Sequence, residues 1–139
     1  MGKGLRAALS PSLVRRTVTA VLDGEGAGPA TVSVTFLSSQ RMRSLHRRTL
    51  GRDRSTDVIA FRLTHDGTLA GDIYVCPAMG RRAAQALGIP EREELVRLVV
   101  HGTLHVLGHD HPASARRTAA PMWRRQERYV KQLSKGGAW

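Results

Sequence analysis

The stretch HGTLHVLGHDHP, residues 101–112, holds four of the chain's six histidines and sets it apart from a generic small domain. His101 and His105 are four residues apart, so on a helix both imidazoles leave one face about one turn apart, close enough to share a metal. Upstream, Pro90 opens a helix whose first turn carries Glu91, Glu93 and Glu94, where acidic side chains meet the positive end of the dipole. Leu95, Leu98, Val99, Thr103, Val106 and Leu107 supply buried faces as far as Gly108, so the histidines belong to a long and largely internal helix. Gly108 lets the chain leave that helix through a left-handed conformation and brings back a third histidine. His109 and His111 both follow it, and being two apart they are not both expected on one ion. Three protein ligands leave a coordination position open, as in catalytic zinc, whereas structural zinc is closed by four. Neutral imidazoles leave the charge of the ion undiminished, which suits stabilising a developing oxyanion or activating water near phosphate. The plainer reading is polar residues at a helix end. It suits one histidine, and three at this spacing with glycine at the turn speak against it.

Working outward, Ser10-Pro11 reads as an N-cap with proline at the first helical position, and Leu13, Val14, Val18, Val21 and Leu22 recur at helical spacing to Asp23-Gly24. Gly24, Gly26, Gly28 and Pro29 form a turn-rich connector. Residues 31–37 then alternate Val32, Val34 and Phe36 against Thr31, Ser33 and Thr35, the period of a strand with one buried face. Residues 40–49 form a short helix loaded with arginine after Ser38-Ser39. TDVIAFRL (56–63) and GDIYVC (71–76) are β-rich runs, and His65-Asp66-Gly67 between them is turn chemistry, so a hairpin is expected and the sheet has at least three strands. Pro77 ends the last strand, and residues 81–87 form a short helix closed by Gly88. The tail from Ala113 is basic and helical, with a break or restart at Pro121. No internal repeat is visible.

The 139 residues fit one domain, residues 1–139, and a 41% hydrophobic but only 4% aromatic composition calls for a core of Leu, Val, Ile and Ala. Lys and Arg number 22 against 11 Asp and Glu, a net charge of +11 that is mostly arginine, whose planar fork suits phosphate oxygens. A polyanionic partner is the natural inference, although a solvated basic surface explains the charge as well and charge names no reaction. Residues 1–23 lack an apolar run of signal-peptide length and no later segment is of membrane-spanning length, so the expected location is the cytoplasm, with no membrane partner. The single cysteine, Cys76, excludes an internal disulfide and is read as a small buried hydrophobe rather than a ligand.

HGTLHVLGHDH resembles the signature of the YbeY family of bacterial endoribonucleases, or rRNA maturation factors, which runs His-Gly-x-x-His-x-x-Gly-Tyr-Asp-His. STDVIAF (55–61) is similar to that family's Thr-Asp-Val-Leu-Ser-Phe strand, and residues 71–76 to its Gly-Asp-Ile strand, in the same order. The resemblance spans roughly residues 31–112. It implies an α+β fold, with a mixed sheet of about four strands packed with helices and a central helix carrying the histidines. It also implies one Zn2+ per chain held by His101, His105 and His111, single-stranded RNA or rRNA as substrate, ribosomal subunits as partners, and a role in rRNA maturation and ribosome quality control. Asp57 and Asp72 match family acidic positions and are candidate catalytic residues, with capping or structural pairing as the alternative. The chain departs from the pattern at His109, where the family has tyrosine, and at Leu50, where the family often carries a functional arginine before the glycine that here is Gly51. Arg47, Arg48 and Arg52 lie nearby without matching that position. The family's acidic C-terminal helix is replaced by a basic one carrying Arg116, Arg117, Arg124, Arg125, Arg128 and Lys131.

Two rivals are weighed against this reading. Metzincin proteases share the histidine spacing but place a glutamate, the general base, directly after the first histidine, where this chain has Gly102. A non-catalytic ribosome-assembly factor would bind RNA through its arginines and use the metal as a brace, closed by a fourth ligand such as Asp110 or His109. The favoured mechanism is zinc-assisted phosphodiester cleavage by water or the RNA 2′-hydroxyl, with arginines on the phosphates. Nickel or copper suits similar ligands. Trp123 and Tyr129 are read as packing residues rather than base-stacking ones, and His46 and His65 receive no role.

Overall fold

The computed structural model describes residues 8–50, 56–65, 67–109 and 121–136. Helix α1 (Pro11–Gly24) starts where Ser10 Oγ accepts the Leu13 N–H at 3.1 Å with proline at the first position, as the sequence predicts. Strand β1 (Ala30–Phe36) follows, then helix α2 (Ser39–Leu50), strand β2 (Val58–His65), strand β3 (Thr68–Val75), and helices α3 (Pro77–Leu87), α4 (Glu91–Val106) and α5 (Pro121–Lys135). The architecture is α+β with a mixed sheet. Among the described residues that sheet has three strands in the order β1-β3-β2, where about four were expected. β1 runs parallel to β3, with Ser33 opposite Asp72, while β2 and β3 form the expected hairpin, closing with His65 opposite Thr68 around Gly67 at φ 77.

β2 runs over 58–65 rather than 56–63, so Thr56 and Asp57 precede it and His65 ends it, and two further boundaries differ from the sequence reading for identifiable reasons. β3 begins three residues before Gly71, because that glycine is an internal strand residue: a Cβ there would lie 2.5 Å from both Cγ atoms of Val106, so its absence lets α4 lie on the sheet. Helix α3 starts at Pro77 rather than residue 81, the proline serving as its first helical residue instead of only ending the strand. Gly88 at φ 70 closes α3 as expected.

Apolar residues of α1, α4 and α5 pack on one face of the sheet around Val21, Ile73, Val99 and Leu104, all fully buried. On the other face, Met42 of α2 meets Ile59 and Cys76 in a smaller cluster, which bears out the reading of that cysteine as a buried hydrophobe. Helix α4 touches β2, β3, α1, α3 and α5, so its histidines are held from several sides. Gly102 is the second close approach, since a Cβ there would meet Ile73 Cγ2 at 2.6 Å. Among the described residues no helix is long and apolar enough to cross a membrane.

Candidate metal centre and the two clefts beside it

The last two turns of α4 bring His101 and His105 together with their Nε2 atoms 3.0 Å apart and ring centroids 4.6 Å apart. A buried glutamine from α5 orients the first ring: His101 Nδ1 lies 2.7 Å from Gln126 Oε1, while Gln126 Nε2 donates to Glu127 Oε2 at 3.0 Å. Because Glu127 is an acceptor, the amide nitrogen must face it and the amide oxygen must face His101. The His101 proton therefore sits on Nδ1, and its Nε2 lone pair points at His105. Two imidazoles on one zinc at about 2.0–2.1 Å put their nitrogens roughly 3.3 Å apart, so the observed spacing fits a shared ion with little adjustment.

His111, the third ligand expected, lies outside the described residues, as do Asp110, Arg52, Arg116 and Arg117; no group of three or more metal-type side chains occurs among the described ones. His109 is committed elsewhere. After α4 the chain turns at Gly108, φ 98, and His109 Nε2 pairs with Glu25 Oε1 at 2.9 Å. Glu25 also accepts from Tyr129 at 2.5 Å and from Arg125 at 3.1 and 3.2 Å, with its side chain only 8% exposed. Burial by itself would push that carboxyl up, but the hydrogen bonds from Tyr129, Arg125 and His109 outweigh it and hold it below the usual carboxylate range. The same contact, together with burial as the larger cause, pushes the Tyr129 hydroxyl up to about 12.

Two clefts meet at the histidine pair, sharing Thr56, Val58, His101 and His105 as their common wall. One, of about 290 Å³, runs over the edge of β2 past Ile59, Ala60 and Phe61 to His46 of α2. The other, of about 340 Å³, holds Asp57, Glu94, Arg97, Trp123 and Gln126. Arg97 is ringed by carboxylates: Glu94 at 2.9 Å, Glu93 at 3.1 Å and Glu127 at 2.8 Å. Burial raises the Glu94 pKa despite the Arg97 contact, and those carboxylates outweigh the burial of Arg97 and keep its guanidinium firmly charged.

Of the two aspartates singled out, Asp57 lies in the second cleft with the histidines. Asp72 does not. The contacts of Gly71 and Ile73 with α4 put the odd-numbered residues of β3 on the helix side, so Asp72 stands on the opposite face, where Ser33 Oγ donates to it at 2.7 Å. Arg47 and Arg48 are exposed on α2; Leu50 ends that helix, its side chain outside the described ones. Sequence reasoning missed Gln126, His46 and Glu25. A signal existed for two of them, since Gln126 interrupts the apolar stripe Met122, Val130, Leu133 and His46 follows the buried Met42 by one turn. Glu25 sits in a glycine-rich connector with no local signal. Tyr129 is buried, in keeping with a packing role, whereas Trp123 is half-buried at the cleft.

A family model described as Endoribonuclease YbeY matches residues 6–134. Relatives carrying that same name include a Thermus thermophilus protein, 36% identical over 103 residues, covering 70% of this chain and 74% of that one. A Thermotoga maritima relative is 32% identical over 112 residues, covering 81% and 72%. A Persephonella marina relative is 28% identical over 111 residues, covering 76% and 72%. A solution structure of a Thermotoga maritima protein superposes with a TM-score of 0.65 at 26% identity, covering 99% of this chain and 87% of the other.

Proposed function

The chain belongs to the Endoribonuclease YbeY family, and from that premise we propose that it is a metal-dependent endoribonuclease that cuts single-stranded RNA in rRNA maturation, at the site where its two clefts meet. The observation that carries this reading is the pair of converging Nε2 atoms, one of them set by Gln126. An imidazole whose Nδ1 proton is held by an acceptor has its other nitrogen fixed as a lone-pair donor, the usual state of a metal-bound histidine. His101 and His105 would hold the ion with His111, and when bound it supplies a positive centre that lowers the cost of charge developing on the phosphodiester oxygens.

The residues around it have separable tasks. Gln126 holds the His101 tautomer, and the Arg97 carboxylate cluster behind it keeps α5 from sliding on α4. Asp57 is the carboxylate in the cleft that is available to accept a proton from the attacking hydroxyl, whether that belongs to water or the ribose. Peptide hydrolysis by the metzincin route lacks its base, since position 102 is glycine, where even a Cβ would lie 2.6 Å from Ile73 Cγ2. Zinc is the ion that three imidazoles suit best among redox-inert metals.

The deciding experiment is cleavage of an end-labelled single-stranded RNA by zinc-loaded protein beside His105→Ala and a chelated control. Cutting by the loaded wild type alone is expected. Equal RNA binding by all three with no cutting by any would instead make this an assembly factor with a structural metal.

A further inference from the structure

Among the described residues, neither cleft at the histidine pair presents a cation that carboxylates do not already neutralise, although the chain carries a net charge of +11. The cleft along β2 is lined at its far side by Ile59, Ala60, Phe61 and His46 and, among the described residues, holds no Lys, Arg, Asp or Glu. In the other cleft the one arginine among the described residues, Arg97, is met by three glutamates and Asp57 adds a further carboxylate, so the described lining is negative. Each cleft nonetheless has one half-buried aromatic side chain in its lining, Phe61 in the first and Trp123 in the second. Two of the six aromatic residues of an aromatic-poor chain thus line the clefts that meet at one pair of histidines, Trp123 from α5 and Phe61 from the α2 face of the β2 edge, where its ring stands T-shaped to Tyr74. Volumes of about 290 and 340 Å³ lie at the small end of ligand pockets, room for one ring system each rather than a larger group.

Resting on the endoribonuclease reading above, we propose that these clefts are two nucleobase subsites, and that the dinucleotide spanning the scissile bond binds with its bases splayed, one against Phe61 and one against Trp123. The phosphate between them then lies at the histidines, the common wall of the two clefts. Bases on opposite sides of that wall are neither stacked on each other nor paired to a complementary strand, so a requirement for single-stranded substrate follows from the shape of the site. The subsites differ in what they read. The β2 cleft, apolar and uncharged, takes a base by its face. The second offers the Glu94 carboxylate, which has acceptor capacity beyond its Arg97 bond for an exocyclic amino group, while Asp57 is left to the chemistry.

The test uses zinc-loaded protein and a short single-stranded RNA in which each nucleotide in turn is replaced by an abasic residue, with every cleavage position mapped. Cleavage at a phosphate flanked by an abasic residue on either side should fall roughly tenfold or more, the usual worth of one base stacked on an aromatic. Phe61→Leu, which keeps apolar volume, should become insensitive to base removal on one side of the bond only, and Trp123→Leu on the other side only. Both variants are first checked for wild-type thermal unfolding. In parallel, an adjacent pair of 2-aminopurines in the RNA should lose its exciton circular dichroism on binding, a signal that needs no cleavage. Loss of that signal without any cutting would sink the nuclease reading and leave the subsites standing. Normal cutting next to abasic residues, with the exciton signal retained, would overturn the splayed-base proposal.

Discussion

At the residue scale, two polar side chains outside the histidine motif hold parts of it in place, Gln126 at His101 and Glu25 at His109. Gln126 is 4% exposed and its amide is held between His101 and Glu127, so it fixes which ring nitrogen carries the proton. Replacing it by leucine keeps the volume and frees the ring, and zinc affinity should fall about 10- to 100-fold by chelator competition, while an unchanged affinity would deny it this role. Glu25 acts at the other end, tying the connector after α1 to His109 and to Arg125 and Tyr129 of α5. Its folded pKa lies below the unfolded value, so the unfolded chain takes up the proton first as pH falls. The stability it contributes is therefore complete above the ordinary carboxylate value of 4.5 and is lost as pH drops through the lower folded value. Glu25→Gln should cost about 2 kcal/mol in denaturant titrations at pH 7, from lost charge-assisted hydrogen bonds. That gap should close on acidification below 4.5. A gap independent of pH would mean that the carboxylate charge contributes nothing.

At the scale of elements, two glycines decide how the histidine helix meets the sheet. Gly71 of β3 accepts Val106 and Gly102 of α4 accepts Ile73, so helix and strand approach more closely than any side chain permits. Gly102→Ala should push α4 outward or force Ile73 off its rotamer, costing about 1–3 kcal/mol. A calorimetric drop of several degrees in Tm is the expected reading, with weaker zinc binding because His101 is the neighbouring residue; a wild-type Tm would show that Ile73 yields freely. The order and type of these elements were legible because the signals are local: proline and serine at the start of α1, alternation in β1, glutamates in the first turn of α4, four-residue spacing of the histidines. What stayed hidden is what a second element supplies. Gly71 reads as a strand boundary until Val106 is placed on it, and Gln126 is one polar residue in an arginine-rich tail until α5 docks beside His101. Asp57 and Asp72 look equivalent in the sequence, yet strand parity sends Asp72 to the far face of the sheet. Glu25 finds its partners 84 to 104 residues away, beyond any local pattern.

At the scale of the whole molecule, the positive charge of the described residues gathers on two helices rather than in the clefts. The described linings of the two clefts carry no net positive charge, while α2 bears Arg41, Arg43, Arg47 and Arg48 without an acidic residue, and α5 exposes Arg124, Arg128 and Lys131. On the proposed reading RNA is attracted by the helices and read in the clefts, so affinity and selectivity should respond to different variables. Binding of single strands releases about 0.7 counterion per phosphate contacted, so four contacts give a log–log slope near −3 and roughly a fifty-fold loss of affinity between 50 and 200 mM salt. Over the same range the ratio of cleavage at intact and abasic sites should stay nearly constant, because base contacts in uncharged or acidic clefts are not screened as phosphate contacts are. Fluorescence anisotropy for the first quantity and mapped cleavage for the second separate the two surfaces. Reversing Arg41 and Arg48 to glutamate should flatten the salt slope by about two phosphates' worth and leave the cleavage ratio alone. A slope that ignores those reversals would place the phosphate path off α2.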